Sequence, residues 1–339
     1  MSYSKGNKWY SSNRLLSHNA FLNFVMSPRG NGKSYDAKKR VIKNFLKDGS
    51  QAVYVRRYKT ELDEIKGTYW NDIKQEFPNL EFEIKGDIGY INGEQVVHFI
   101  PLSTSTNKKS ASYPKVTLMV FDEYIITKTT YNRYLKNEMI LLFDLIETVF
   151  RSRDNARILL MANAVSFVNP LFSFFDIIPK QDKRFQTFKD GLICLEMFTS
   201  DVFMEEKKNT KFGKLIEGTQ YAKYSIENET LEDNNEFICD RGNFKYRFVC
   251  AFKYEDFKIG VWQNLENGRL FCDEIVDYTS TKRYCMLLEE IEEGWLFYKG
   301  YRIVSVDMDL VKRANMFGAI YFCSQEIKKV MQDRVLLYL

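Results

Sequence analysis

AFLNFVMSPRGNGKSYDAKKRVIKNFLKDGSQAVYVR, residues 20–56, decides the fold. Ala20–Met26 is a short apolar run of the kind that forms a strand buried on both faces. It ends in SPRGNGKS, Ser27–Ser34. Ala37, Val41, Ile42, Phe45 and Leu46 then recur at helical spacing, and Gly49 supplies a stop. Gln51–Arg56 (QAVYVR) reads as the next strand. Strand, glycine-rich turn, helix and strand make a βαβ unit.

The turn carries chemistry. A phosphate-binding loop has the pattern G-x-x-x-x-G-K-[ST], in which backbone N–H groups curl around a phosphate at a helix N-terminus. Gly30-Asn31-Gly32-Lys33-Ser34 matches its second half, but Ser27 stands where the first glycine belongs. The expected nucleotide-binding residues are Ser27, Pro28, Arg29, Gly30, Asn31, Gly32, Lys33 and Ser34. Lys33 supplies a cation at the β/γ-phosphates, and the Ser34 hydroxyl a ligand for Mg2+. The implied cofactors are ATP and Mg2+.

Working outward, Val116–Glu123 (VTLMVFDE) is a second apolar strand ending in two acids. An acid there holds magnesium in phosphate-loop enzymes. Asp122 is therefore expected beside Ser34 at the metal, with Glu123 as the base that polarises the attacking water. Arg157–Ala162 (RILLMA) is a third such strand, and Asn163 at its end is open to two readings: an ordinary strand terminator, or an amide near the γ-phosphate. Arg151, at the end of a helix predicted over Leu135–Phe150, has two as well. It can complement a helix C-terminus, the bland reading that residue physics favours, or reach a neighbouring subunit's transition state.

Short buried strands alternating with helices predict an α/β fold with a mostly parallel sheet. Residues 61–77 look helical, and Leu80–Leu102 reads as one hairpin turning at Asn92-Gly93. Near residue 200 the pattern changes. Residues 201–225 are charged and helical or irregular. FKYRFVCAF, FKIGVW and GRLFCDEIV then alternate in a hairpin-rich, antiparallel manner, with a turn at Asn267-Gly268, and residues 307–338 return to helical spacing. The expected organisation is a phosphate-loop domain over 1–200, a linker or lid over 201–235, and a smaller α+β domain over 236–339.

Composition excludes more than it identifies. The 339 residues are 45% hydrophobic, enough for a sizeable core and against a disordered chain. No apolar run approaches the ~20 residues of a membrane span, and the polar start MSYSKGNKWY shows no secretory signal. Six cysteines without C-x-x-C spacing, and only two histidines, argue against a zinc site and for reduced thiols in a cytosolic protein. The net charge of +4 hides an asymmetry: residues 1–60 hold 13 basic and 2 acidic side chains, whereas residues 201–339 hold 20 and 24. That locates where a polyanion would be met without identifying one.

Colinear stretches bring a family into view: LNFVMSPRGNGKSY (22–35), VYVRRYKTEL (53–62), KKSASYPKVTLMVFDEY (108–124), ETVFRSRDNARILLMANAVSFVNPLF (147–172), KRF (183–185) and TKFGKLIEGTQY (210–221). Over about the first 225 residues the chain resembles the genome-packaging (DNA encapsidation) ATPases of phi-twenty-nine-type podophages. The resemblance implies an ASCE-type phosphate-loop ATPase working as a homo-oligomeric ring, usually a pentamer. Such a ring sits in the host cytoplasm at the portal vertex of the viral prohead and drives double-stranded DNA into the capsid. Partners are then the DNA and the portal or connector, with a structural RNA left open and no membrane. Asp122 and Glu123 carry over as metal ligand and catalytic acid, Arg151 as the arginine finger acting in trans, and Lys109 as a second basic residue acting across the boundary. Asn163 falls at the coupling motif. Arg56, Arg57 and Lys59 match a basic segment facing neighbours, nucleotide or DNA. The C-terminal domain is implied to be an RNase H-like nuclease that has lost its chemistry.

The leading expectation is thus an ATP-driven subunit that translocates viral DNA. The alternative is a terminase that also cleaves DNA, through metals held by some of Asp240, Asp273, Glu274, Asp307 and Asp309. A nucleotide-binding structural component without turnover, and a generic helicase, are the remaining readings.

Overall fold

A computed structural model of the chain describes residues 8–108, 110–126, 133–164, 166–167, 169–180, 183–227, 237–298, 305–336 and 339. It divides into two compact units, Met1–Asp233 and Asn234–Leu339.

Among the described residues the first unit contains nine strands: β1 (Leu22–Ser27), β2 (Gln51–Arg56), β3 (Phe82–Lys85), β4 (Ile88–Ile91), β5 (Glu94–Pro101), β6 (Val116–Asp122), β7 (Arg157–Asn163), β8 (Phe185–Phe188) and β9 (Ile193–Met197). Its helices are α1 (Asn13–Ser17), α2 (Lys33–Asp48), α3 (Lys59–Lys66), α4 (Glu138–Phe150), α5 (Pro170–Phe175), α6 (Asp201–Asn209), α7 (Lys211–Leu215) and α8 (Gln220–Glu227). The strands form one sheet in the order β3-β4-β5-β2-β6-β7-β1-β9-β8. The central six, β5 to β9 in that order, are parallel; β4 and β8 pair antiparallel toward the edges.

Every residue of β1 is buried, because layers of side chains cover both faces of the sheet. Phe24 and Met26 of β1 join Ile158 and Leu160 of β7 and Leu142 and Leu145 of α4 on one side. Val25, Leu159 and Met161 point the other way, onto Val41 and Ile42 of α2 and Leu62 of α3. This period-two split is what a two-sided sheet requires. Helix α2 opens after Gly32 and stops at Gly49, both at positive φ (94° and 73°), which glycine adopts without a Cβ clash.

Two local expectations change. The segment read as one hairpin is three strands, because Gly86 (φ 60°) makes a second turn before Asn92-Gly93. The helix expected over 61–77 stops at Lys66, ahead of Gly67, and only a 3-10 turn, Lys74–Glu76, follows. The described part of residues 201–235 forms α6–α8 within the first unit, and Lys207 Nζ ties α6 to the Arg29 carbonyl (2.7 Å) and the Ser225 carbonyl (2.6 Å).

The second unit holds β10 (Tyr246–Tyr254), β11 (Phe257–Asn264), β12 (Leu270–Asp273), β13 (Arg283–Cys285), β14 (Leu296–Phe297), α9 (Val306–Met316), β15 (Ile320–Phe322) and α10 (Gln325–Val330). The sheet order is β14-β13-β10-β11-β12-β15. β10–β11–β12 is the expected antiparallel meander, but β13, β14 and β15 add in parallel, so the sheet is mixed. β15 interrupts the stretch whose spacing predicts helix throughout 307–338. Its Ile320 and Phe322 bury against β12, a gain that local periodicity does not register. All six cysteines are free thiols, and no helix among the described residues is long and apolar enough to cross a membrane.

Candidate functional site

The C-terminal ends of β1, β2, β6 and β7 meet at one edge of the first sheet. β7 lies between β1 and β6, and Ser27 is the register partner of Asn163. The glycine loop leaving β1 and the acids leaving β6 are thus separated by the width of one strand.

Lys33 is buried and turns back into the loop. Its Nζ donates to Ser27 Oγ (2.6 Å), Pro28 O (3.2 Å), Ser27 O (3.3 Å) and Asn163 Oδ1 (3.1 Å). These acceptors are all neutral. Burial pulls the ammonium pKa down to about 7, against the opposing pull of Asp122 and Glu123. A buried cation held by neutral oxygens is a site for an anion. The loop agrees: Gly30 (φ 85°) and Gly32 adopt the left-handed region, and no side chain caps α2, so its first-turn N–H groups are open to a phosphate. Ser27, in the place of the usual first glycine, donates to Asn31 Oδ1 (2.9 Å) while receiving Lys33. Its hydroxyl therefore belongs to the lysine cradle. Arg29 is exposed on the rim.

Asp122 is buried at the end of β6. Its Oδ2 accepts from Ser34 Oγ (3.3 Å), Tyr54 Oη (2.5 Å) and Arg56 Nη2 (2.9 Å). Burial and the neighbouring Asp122 charge push the Tyr54 hydroxyl well above its usual range, so it stays a donor. The second arm of Arg56, Nη1, reaches Glu123 Oε2 at 2.5 Å. Glu123 stands at φ 58°, a conformation that turns its side chain out of the strand's alternation and leaves it more than half exposed. Ser34 with Asp122 has the donor chemistry of a hard divalent cation site: a hydroxyl and a carboxylate oxygen.

Arg57 supports this edge from beneath. Its guanidinium is 1% exposed, bidentate to Glu138 (2.8 Å to each oxygen), and donates to the backbone carbonyls of Glu123 (3.2 Å) and Tyr124 (2.8 Å). The basic segment expected to face neighbours, nucleotide or DNA therefore divides in this structure. Arg57 has no surface to offer and Arg56 is committed to the acidic pair, whereas Lys59 is exposed at the start of α3.

Arg151 lies elsewhere. It ends α4 at φ 52°, and the neighbouring Arg153 bonds the carbonyls of Tyr113 and Val116, at the start of β6. Arg151 is thus at the opposite edge of the sheet from Asp122, about 20 Å away along a seven-residue strand. It is exposed and out of reach of its own Lys33. Lys109 lies outside the described residues.

In the second unit the candidate metal-binding carboxylates do not converge. Asp273 is paired with Arg241 (2.8 Å) and receives Trp262 Nε1 (3.1 Å); Asp307 is paired with Lys282 (2.6 Å). Asp240, Glu274 and Asp309 are exposed. Among the described residues no three His, Cys, Asp or Glu side chains are grouped to hold a metal ion.

Sequence reading missed Tyr54 outright and gave Arg56 another task. The signal was present in the alternation of VYVRR, which puts Tyr54 and Arg56 on one face of β2, but it needed β2 to be known as the neighbour of β6.

A glycine loop between β1 and α2, with an acidic strand end one strand removed, defines a phosphate-loop α/β protein. Comparison with known sequences narrows this. The chain belongs to the podovirus DNA encapsidation protein (Gp16) family, whose profile matches residues 5–336. It is 41% identical over 288 residues to the DNA packaging protein of Bacillus phage B103, covering 85% of this chain and 88% of that one. Among solved structures it is similar to the bacteriophage phi29 viral genome packaging motor assembly, with a TM-score of 0.60 and 36% identity over 96% of this chain and 98% of that chain. It is also similar to the N-terminal domain of the phi29 DNA packaging ATPase, with a TM-score of 0.53 and 42% identity over 58% of this chain and all of that one.

Proposed function

We propose that the chain is the ATP-hydrolysing subunit of a motor that drives viral double-stranded DNA into a prohead. One observation carries this reading: the buried Lys33 ammonium, held only by neutral oxygens, within one strand's width of Asp122 and Glu123. Family membership and the packaging roles named for its relatives support the same conclusion.

Magnesium, when bound, neutralises charge developing on the β- and γ-phosphates. Ser34 and Asp122 are the residues to hold it, and Arg56 must release Asp122 for that to happen. Lys33 leaves Ser27 and Asn163 for the phosphates. Asn163 is then free to orient the attacking water, and Glu123, unpaired once Arg56 lets go, accepts its proton. Arg151 serves a neighbour, because its own loop lies at the far edge of the sheet. Lys109 is assigned the same role across the boundary from the family resemblance.

A shared site implies a homo-oligomeric ring, with five subunits as the family expectation, docked on the portal at the prohead vertex in the host cytoplasm. DNA contacts are assigned to phosphates, since a packaging motor takes any sequence. The α6–α8 segment, tied to Arg29 through Lys207, is assigned as the lid. The second unit is read as RNase H-like. The order β12-β11-β10-β13-β14, three antiparallel strands followed by two parallel ones, supports that reading.

The test mixes Arg151→Ala subunits with Glu123→Gln subunits under DNA-packaging conditions. Each alone is expected to be inactive, and the mixture to regain hydrolysis. Absence of recovery overturns the trans site.

A further inference from the structure

We infer that Trp9 and Tyr35 form the nucleoside half of the nucleotide site, with Trp9 stacking on the base. The inference rests on the phosphate-loop reading and extends it to residues no motif marks.

A cavity of about 670 Å3 runs along the outer face of α2, starting at Gly32 and walled by Trp9 and Tyr35. That volume is within the range of about 300–1,000 Å3 for small-molecule sites. It shares Gly32 with the phosphate loop. On the inner side of the loop Ser27, Lys33 and Asn163 close against one another. A nucleoside attached to a phosphate in the loop therefore leaves by the outer side, into this cavity.

Both rings are held ready. Trp9 is 55% exposed, unusual for so large an apolar side chain, yet its position is fixed. A Cβ placed on Gly32 would lie 3.5 Å from Trp9 Cε3, so the indole rests against the loop. The segment carrying it is bolted down by Tyr10 N–H to Asn31 O (2.9 Å), and by Ser12 N–H and Oγ to Asp36 Oδ2 (2.9 and 2.5 Å). Tyr35 follows Ser34 directly, and its hydroxyl donates to Glu76 (2.6 Å), which pins the ring. Two fixed aromatic groups flanking a cavity at a phosphate loop suit a flat base. Stacking is tolerant of base identity, so the site is assigned to nucleotides as a class rather than to adenine alone.

The experiment measures dissociation constants of the full chain for Mg-ATP and for magnesium tripolyphosphate, which has the phosphates without the nucleoside. Wild-type protein is expected to bind ATP about tenfold more tightly or better. Trp9→Ala is expected to bring ATP to the tripolyphosphate value and leave tripolyphosphate unchanged, with Trp9→Phe keeping most of the difference. ATP, but not tripolyphosphate, should change indole emission in wild type, and the change should vanish in Trp9→Phe. Unaltered ATP binding in Trp9→Ala overturns the inference, and so does equal weakening of both ligands, which would make Trp9 a prop for the loop. Failure of the phosphate-loop reading looks different: tripolyphosphate would not bind wild type at all.

Discussion

Arg56 and Asp122 are joined Nη2 to Oδ2 at 2.9 Å, and the same guanidinium holds Glu123 with its other arm. The proposed metal-binding carboxylate and the proposed base thus share one cation, and magnesium would have to compete with it.

Arg56→Met is therefore expected to destabilise the magnesium-free protein. Removing one partner of a buried pair costs roughly 3–5 kcal/mol, and the lower end applies because Tyr54 and Ser34 still donate to Asp122. Thermal unfolding should fall by about 6–12 °C without ligand, and most of the loss should return with Mg-nucleotide. A loss that Mg-nucleotide leaves untouched would remove the competition argument.

The Lys33 pKa near 7 sets a pH dependence for nucleotide binding. Above pH 7 the free protein has lost the Lys33 proton, while a bound triphosphate favours the ammonium. Binding then takes up a proton, and affinity should weaken by up to about tenfold per pH unit as pH rises above 7. Calorimetry in buffers of different ionisation enthalpy reads the uptake directly. Lys33→Met should abolish it along with phosphate binding.

For stability of the apo fold the sign is opposite. The unfolded lysine keeps its proton up to pH 10.5 and the folded one only to about 7, so the burial penalty is fully present below pH 7 and relieved as pH rises between the two. Lys33→Met should be stabilising at pH 6, and its advantage should shrink by pH 9, in urea unfolding at both pH values.

Arg57 and Glu138 are each 1% exposed and joined by two hydrogen bonds. Arg57→Met or Glu138→Gln alone should cost roughly 3–5 kcal/mol, because each strands a buried charge. Arg57→Met combined with Glu138→Leu should recover part of it. A double-mutant cycle measures the coupling, and simple additivity would contradict the pairing.

Arg151→Ala should leave the isolated chain within about 0.5 kcal/mol of wild type, since the side chain is exposed. Nucleotide binding should also be intact. Hydrolysis in the assembled motor should fall by about 10³–10⁵. Weakened nucleotide binding by the isolated Arg151→Ala chain would point to a role in its own site.

The glycine loop, the acidic strand end and the parallel strands were legible in the residues alone. Each is written in neighbouring residues: apolar runs of strand length, a glycine turn, and helical spacing between them. The sequence also singled out Lys33, Ser34, Asp122 and Glu123 as candidates among many polar positions, because their chemistry travels with that local pattern. What surrounds them came from long-range packing. Strand order put β2 beside β6, and so gave Tyr54 and Arg56 to Asp122 and sent Arg57 under the sheet to Glu138. It put Trp9 on Gly32 and Arg151 at the far edge. It drew Ile320–Phe322 into a strand where spacing suggested helix. The physical reason is common to all of these. Periodicity reports which face of an element is buried, but not which element buries it. Pairings such as Arg56 with Asp122 and Arg57 with Glu138, 66 and 81 positions apart, are settled by the joint packing of the whole sheet.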